Sequence, residues 1–146
     1  MARFSVEERS TGPGSATLPV ASLFSVAAGN PRVREIGIFN TTAVACTFRI
    51  VKLTAAGTVG AALTELCHDV GAYTALCQGF NTHTVAPTIA SGGAGRAALG
   101  AAIGSGMIWT FGGEEGLSVP VGTANGIGII PVGTGQIVDF YIVWDE

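Results

Sequence analysis

Hydrophobic positions along this chain recur mainly at every second residue. The clearest case is the end, where Val138, Phe140, Ile142 and Trp144 alternate with Ile137, Asp139, Tyr141 and Val143. A period of two puts the two sets on opposite faces of a strand, so 138, 140, 142 and 144 are expected to form a core-facing row. "RVREIGIFN" (32–40) sorts Val33, Glu35, Gly37 and Phe39 against Arg34, Ile36 and Ile38. "ACTFRIVKL" (45–53) sorts Cys46, Phe48 and Ile50 against Thr47, Arg49 and Val51. Both are rich in the β-branched and aromatic residues that suit strands. "GMIWTFGG" predicts a strand stopped by a Gly-Gly turn, and the chain from Gly116 predicts three strands separated by "GTANG" and "VGTGQ". A short strand is expected at "ALTEL" and a helical turn near 72–76. No window sustains the helical period, and no fixed-length repeat occurs. Short strands with glycine-rich turns predict an all-β domain: an antiparallel β-sandwich or jelly-roll-like barrel.

Residues 1–31 break this pattern. "STGPGSATLP" concentrates residues that punctuate rather than build structure. The division that follows is an extended N-terminal arm (1–31) and a single β-sandwich domain (32–146). Within the arm, Phe4 with Val6 and Leu18 with Val20 alternate suitably for lying along another subunit's sheet edge. These four are the candidate partner-binding residues. Ordering such a segment costs about 1–2 kcal/mol per residue, so the arm is expected to stay loose until a partner offsets that cost.

Composition sharpens the picture. Charged residues make up 12% of the chain, against about 25% in ordinary soluble domains. Surface short of charge fits burial at subunit contacts, which predicts a homo-oligomer, with a trimer as the first expectation. The net charge of −3 argues against nucleic acid as the partner. All seven basic residues (Arg3, Arg9, Arg32, Arg34, Arg49, Lys52, Arg96) precede residue 97, and only acids follow. Such asymmetry suggests head-to-tail pairing between subunits. The first ten residues mix arginines with glutamates and make a poor signal peptide. Three cysteines in a chain of this size favour a reducing compartment.

No catalytic or cofactor chemistry is selected. Gly95 to Gly100 has the spacing of a phosphate loop, but Ala101 and Ala102 stand where a lysine and a hydroxyl residue are needed. The uncharged run 97–113 is diluted by glycines and is too short to span a bilayer as a helix, so membrane insertion is not expected. Cys67, His68, Cys77 and His83 lack the close pairs of a structural zinc site. "GGEEG" reads as an exposed turn with solvated carboxylates, and neither histidine has an evident catalytic partner. An enzyme is not expected.

Three stretches, "REIGIFNTT" (34–42), "MIWTFGGEEGLSVPVGT" (107–123) and "DFYIVWDE" (139–146), resemble small structural proteins of tailed bacteriophages. The resemblance implies a virion component assembled in the host cytoplasm. The form it implies is a capsid decoration (cement) protein or a tail subunit, with major capsid or tail proteins as partners. It transfers no catalytic residue. The alternative is a tail or fibre-tip module that binds a receptor or carbohydrate; Tyr73, Trp109 and Tyr141 are of the kind a sugar stacks on, although their alternating strands give Trp109 and Trp144 core roles.

Overall fold

A computed structural model describes residues 1–71 and 73–146. Among these described residues twelve strands follow in order: β1 (Arg3–Arg9), β2 (Ala21–Phe24), β3 (Arg32–Asn40), β4 (Cys46–Ala55), β5 (Leu66–Cys67), β6 (Gln78–Asn81), β7 (Thr88–Ile89), β8 (Gly95–Leu99), β9 (Gly106–Thr110), β10 (Leu117–Ser118), β11 (Gly126–Pro131) and β12 (Val138–Asp145). They form two antiparallel six-stranded sheets. Sheet A runs β10-β3-β12-β1-β5, with β9 also on β3, and sheet B runs β6-β2-β11-β4-β7, with β8 also on β4. The expected all-β sandwich is the observed fold. The helical turn expected near 72–76 falls partly on Ala72, outside the described residues, and residues 73–76 carry none.

Eight strands make the frame. Pairing joins β1 to β12, β2 to β11, β3 to β9 and β4 to β8, while β12 also joins β3 and β11 joins β4. First pairs with last, second with next-to-last, and so inward. This is a long double ribbon wound into two sheets, β1-β12-β3-β9 and β2-β11-β4-β8, the order of a jelly roll. The other four strands are additions. Three of them, β5 to β7, lie in the excursion 56–94 between β4 and β8.

The core lies between the sheets and contains Phe48 and Ile50 of β4, Ile36 and Ile38 of β3, and the row Val138, Phe140, Ile142 and Trp144 of β12. That row was the sequence expectation. In β3 the simple alternation fails at one point. Val143 pairs with Glu35 but Trp144 pairs with Val33, so Arg34 is an extra residue and both Val33 and Ile36 face inward. A bulge of this kind bends the strand and re-aims a side chain. Here it turns Arg34 outward toward the end of β12.

Residues 1–31 are not an arm, and the domain does not begin at residue 32. β1 lies between β12 and β5 in sheet A, and β2 lies between β6 and β11 in sheet B. The accessible surface is 6654 Å², close to the roughly 6,900 Å² expected of a folded monomer of this mass. An arm free in solvent would raise it well above that value. The punctuation at 10–20 is a connection from sheet A to sheet B, the first crossing of the jelly roll.

Candidate functional site

The outer faces of the two sheets differ, and the difference locates the accessible surface. Most of sheet B is covered from outside by the excursion 56–94. Ala56, Val59, Phe80 and Ile89 pack on Phe24, Val51, Leu53 and Ile130, which form a second apolar cluster on that side. His83 fastens this strap. Its backbone N–H donates to the Pro19 carbonyl at 3.0 Å, and its Nε2 lies 2.7 Å from the Ser22 hydroxyl of β2. The residue is 2% exposed and its ring stands against Phe24, and among the described residues its Nδ1 makes no hydrogen bond. Burial holds its pKa below the ordinary histidine value, with the Ala56 backbone opposing in part.

Among the described residues no such strap crosses the outer face of sheet A. Across it, Glu7, Tyr141, Gly37 and Ile108 sit side by side on β1, β12, β3 and β9, and Ser5, Val143, Glu35 and Thr110 form the next row. Tyr141 lies flat over Gly37, where any Cβ would collide with its ring. Phe39 lies over Gly106 in the same way and stacks on Tyr141 with ring centroids 6.4 Å apart. The Tyr141 hydroxyl donates to the Glu35 carboxylate at 2.5 Å. Burial first, and Glu35 second, push its pKa up to about 12. Ile108 remains 48% exposed and Leu66, at the far edge on β5, 65%. The surface is a flat aromatic and aliphatic patch carrying the carboxylates of Glu7 and Glu35.

At one end of this face is an ion cluster. Asp145 Oδ1 and Oδ2 accept from Arg3 Nε and Nη2 at 2.7 and 3.1 Å, and Oδ2 also accepts from Arg34 Nε at 2.6 Å. The Asp145 side chain is only 8% exposed. Arg3, and then Arg34, hold its carboxyl below the usual aspartate range against the opposing effect of burial. Arg34 also donates to the carbonyls of Gly113 and Glu114, and Arg32 to that of Glu114, so "GGEEG" is a turn clamped by its backbone. Arg9 pairs with Asp139 and Arg32 with Glu115. Each pair joins an early cation to a late acid within one chain. The charge asymmetry thus reflects the winding of the ribbon, and the expected head-to-tail use of these residues between subunits is corrected.

The four candidate partner-binding residues of the arm are placed otherwise than expected. Phe4 and Val6 are core residues of β1, and Val20 is fully buried beside β2. Leu18 is half-buried in a turn closed by hydrogen bonds to Ser15. Three of the four are thus committed to the protein's own interior and none lies along a free edge. Of the stacking candidates, Trp109 points inward toward β8, its ring filling the space that a Cβ on Gly95 would need. The glycine-rich stretch before it is strand β8, which buries Ala97 and Leu99, followed by an exposed loop over 100–104 that leads into β9. Tyr73, 62% exposed, lines a cleft of about 510 Å³ with Asp69, Thr74 and Glu146. Both carboxylates are engaged there, Asp69 by the Arg3 N–H and Glu146 by the N–H groups of Leu76 and Cys77.

The cysteine and histidine candidates do not converge. His68 Nε2 contacts Ser5 Oγ at 2.8 Å, His83 is held by Ser22, and Cys46 and Cys77 are buried free thiols. Among the described residues no group of three or more His, Cys, Asp or Glu side chains is placed to hold a metal ion. Nor, among those residues, is any helix long and apolar enough to cross a membrane.

No protein-family model, no curated protein and no solved structure matches the chain.

Proposed function

We propose that the protein is a structural subunit of a tailed-phage virion, a capsid decoration protein that binds shell subunits through the outer surfaces of a compact jelly roll. The observation that carries this reading is where the three resembling stretches fall. Residues 34–42 run through β3, 107–123 through β9 and β10, and 139–146 through β12, and β9 and β10 both flank β3, which pairs with β12. Stretches that are far apart in sequence thus build one continuous half-sheet and its bare outer face. The jelly roll is an architecture shared by viral capsid and lectin domains, which supports a virion role by analogy of fold. Low charge supports it independently, because an assembled subunit hides surface that a free one must keep solvated.

Binding in this reading comes from folded surfaces and not from a flexible arm, because β1 and β2 are already used inside the domain. Many copies on a symmetric shell then gain from avidity even where each contact is modest. Electron microscopy of the intact virion with labelled antibody against the protein tests the assignment. Label distributed over the head is the expected result. Label confined to the tail tip favours the receptor-binding alternative, for which the Tyr73 cleft is the site, and an unlabelled virion overturns the virion reading.

A further inference from the structure

Four of the seven basic residues are paired within the chain, Arg3 and Arg34 sharing Asp145, Arg9 on Asp139 and Arg32 on Glu115, and among the described residues Arg49, Lys52 and Arg96 have no acid partner. Arg49 and Arg96 are different. They face each other directly across the β4–β8 pairing, and Phe48, Ala97 and Ile50 on either side of them are buried. Alternation therefore turns both guanidinium groups to the outer face of sheet B. Neither makes an ion pair or side-chain hydrogen bond among the described residues. Like charges directly opposite on neighbouring strands are destabilising, and this chain has few charges to spend. At this corner of sheet B Arg96 is exposed and Arg49, beside Ile130 of β11, is partly buried, and Thr47 and Ala98, paired to each other, come next toward the sheet's end.

The opposite outer face has the complementary arrangement. Glu7 and Glu35 flank the stacked rings of Tyr141 and Phe39, and among the described residues neither carboxylate has a cation partner. Arginine suits such a surface, since its planar guanidinium both stacks on aromatic faces and bonds to carboxylates. We propose that the Arg49–Arg96 pair of one copy docks on the Glu7–Tyr141–Glu35 surface of a second copy of this chain. This deepens the reading of the protein as an assembling subunit. Because the two surfaces lie on opposite sheets, each copy carries one of each and the contact is heterologous. Successive copies close into a ring or extend as a row, according to the rotation between them.

Charge reversal tests the pairing in solution by light scattering at low and high salt. The variants are R49E/R96E and, on the other side, E7K/E35K. Because Glu35 also holds Tyr141, E7K alone is the second acid-side variant, and thermal melts verify that each variant is folded. Wild type is expected to self-associate and to weaken as salt rises. Each folded reversal variant should associate about tenfold or more weakly, since like charges are now apposed. Mixing an arginine-side with an acid-side variant should restore association, because every contact in the alternating assembly is again between opposite charges. Wild type that stays monomeric overturns the proposal, as does self-association that neither reversal changes, or mixing that restores nothing. A monomeric protein whose particle binding is abolished by R49E/R96E also overturns it, and places the arginine pair against the shell. Intact self-association without any particle binding would leave this contact standing and remove the virion reading instead.

Discussion

Phe4 stacks on Trp144 with ring centroids 5.9 Å apart and an interplanar angle of 27°. The contact joins the first strand to the last in the middle of sheet A, where Phe4 and Trp144 are also directly paired in register. Both side chains are withdrawn from solvent, so emptying either site leaves a large cavity in the core.

Phe4→Ala and Trp144→Ala are each expected to destabilise by about 3–5 kcal/mol, the range for removing a buried aromatic ring. Since the two rings touch, the double variant should cost less than the sum of the single ones. Denaturant melts of the four proteins provide the check. Removing residues 1–9 should prevent folding, because it takes β1 from between β12 and β5 and exposes both neighbours. An N-terminal truncation that melts like the full chain would restore the arm.

How much of this was legible in the sequence depends on the range of the interaction. The β12 row, the β4 faces and the sandwich itself follow from local alternation, and the structure shows them. The place of β1 does not, because its alternation covers few residues and its partner is more than a hundred positions away. The glycine, proline and serine run that follows it signals a chain leaving one element. It carries no record of whether the chain crosses to the other sheet or escapes into solvent. The β3 bulge was hidden for a related reason: Val33 and Ile36 break phase only because Trp144 has to pair with Val33. The ion pairs were visible only as a one-sided distribution of charge, which two chains could satisfy as well as one. The Arg49–Arg96 apposition needs the β4–β8 register, and β8 is built of small residues with little strand signature.

Acid should reveal the Asp145 cluster. Its carboxyl titrates below the ordinary value of 3.8 in the folded protein, held there first by Arg3. The unfolded chain therefore takes up the proton first, so this contribution is complete above about pH 4 and is lost as pH falls further. Asp145→Asn should remove that part of the acid transition and cost about 1–3 kcal/mol at neutral pH, the range for a buried hydrogen-bond partner lost. Thermal melts from neutral pH to pH 2 compare the two proteins, and a superimposable acid limb would refute the role.

His83 sets a second, milder window. Burial lowers its pKa from 6.5, so the folded state binds its proton less well than the unfolded state does. Stability is full above about pH 6.5 and declines as pH falls below it, before the aspartate limb begins. Loosening should start in the strap 56–94, which His83 fastens to β2 through Ser22. His83→Gln should flatten the profile between about pH 6.5 and 5. Hydrogen exchange showing no faster opening of the strap at pH 5 in wild type would contradict this account.

Tyr141 reports on the bare face of sheet A. Its phenol is expected to ionise only near a pKa of about 12, with burial the first cause and the bond to Glu35 the second. Gly37→Ala would push the ring off its seat, at a cost of about 1–3 kcal/mol typical of overpacking, and bring the ionisation down toward the ordinary value of 10. Ultraviolet titration of wild type, Gly37→Ala and Tyr141→Phe resolves the transition. Early ionisation of Tyr141 in wild type would mean that the ring does not lie over Gly37.

Binding of the folded jelly roll to a phage shell as a structural subunit is the proposed function. Its most direct test is the rebinding of purified protein to particles assembled without it, followed by sedimentation and by capsid melting. The expected result is saturable binding at a fixed number of copies per particle and a higher temperature for shell opening. Protein that remains entirely in the supernatant, with shell opening unchanged, would contradict the account.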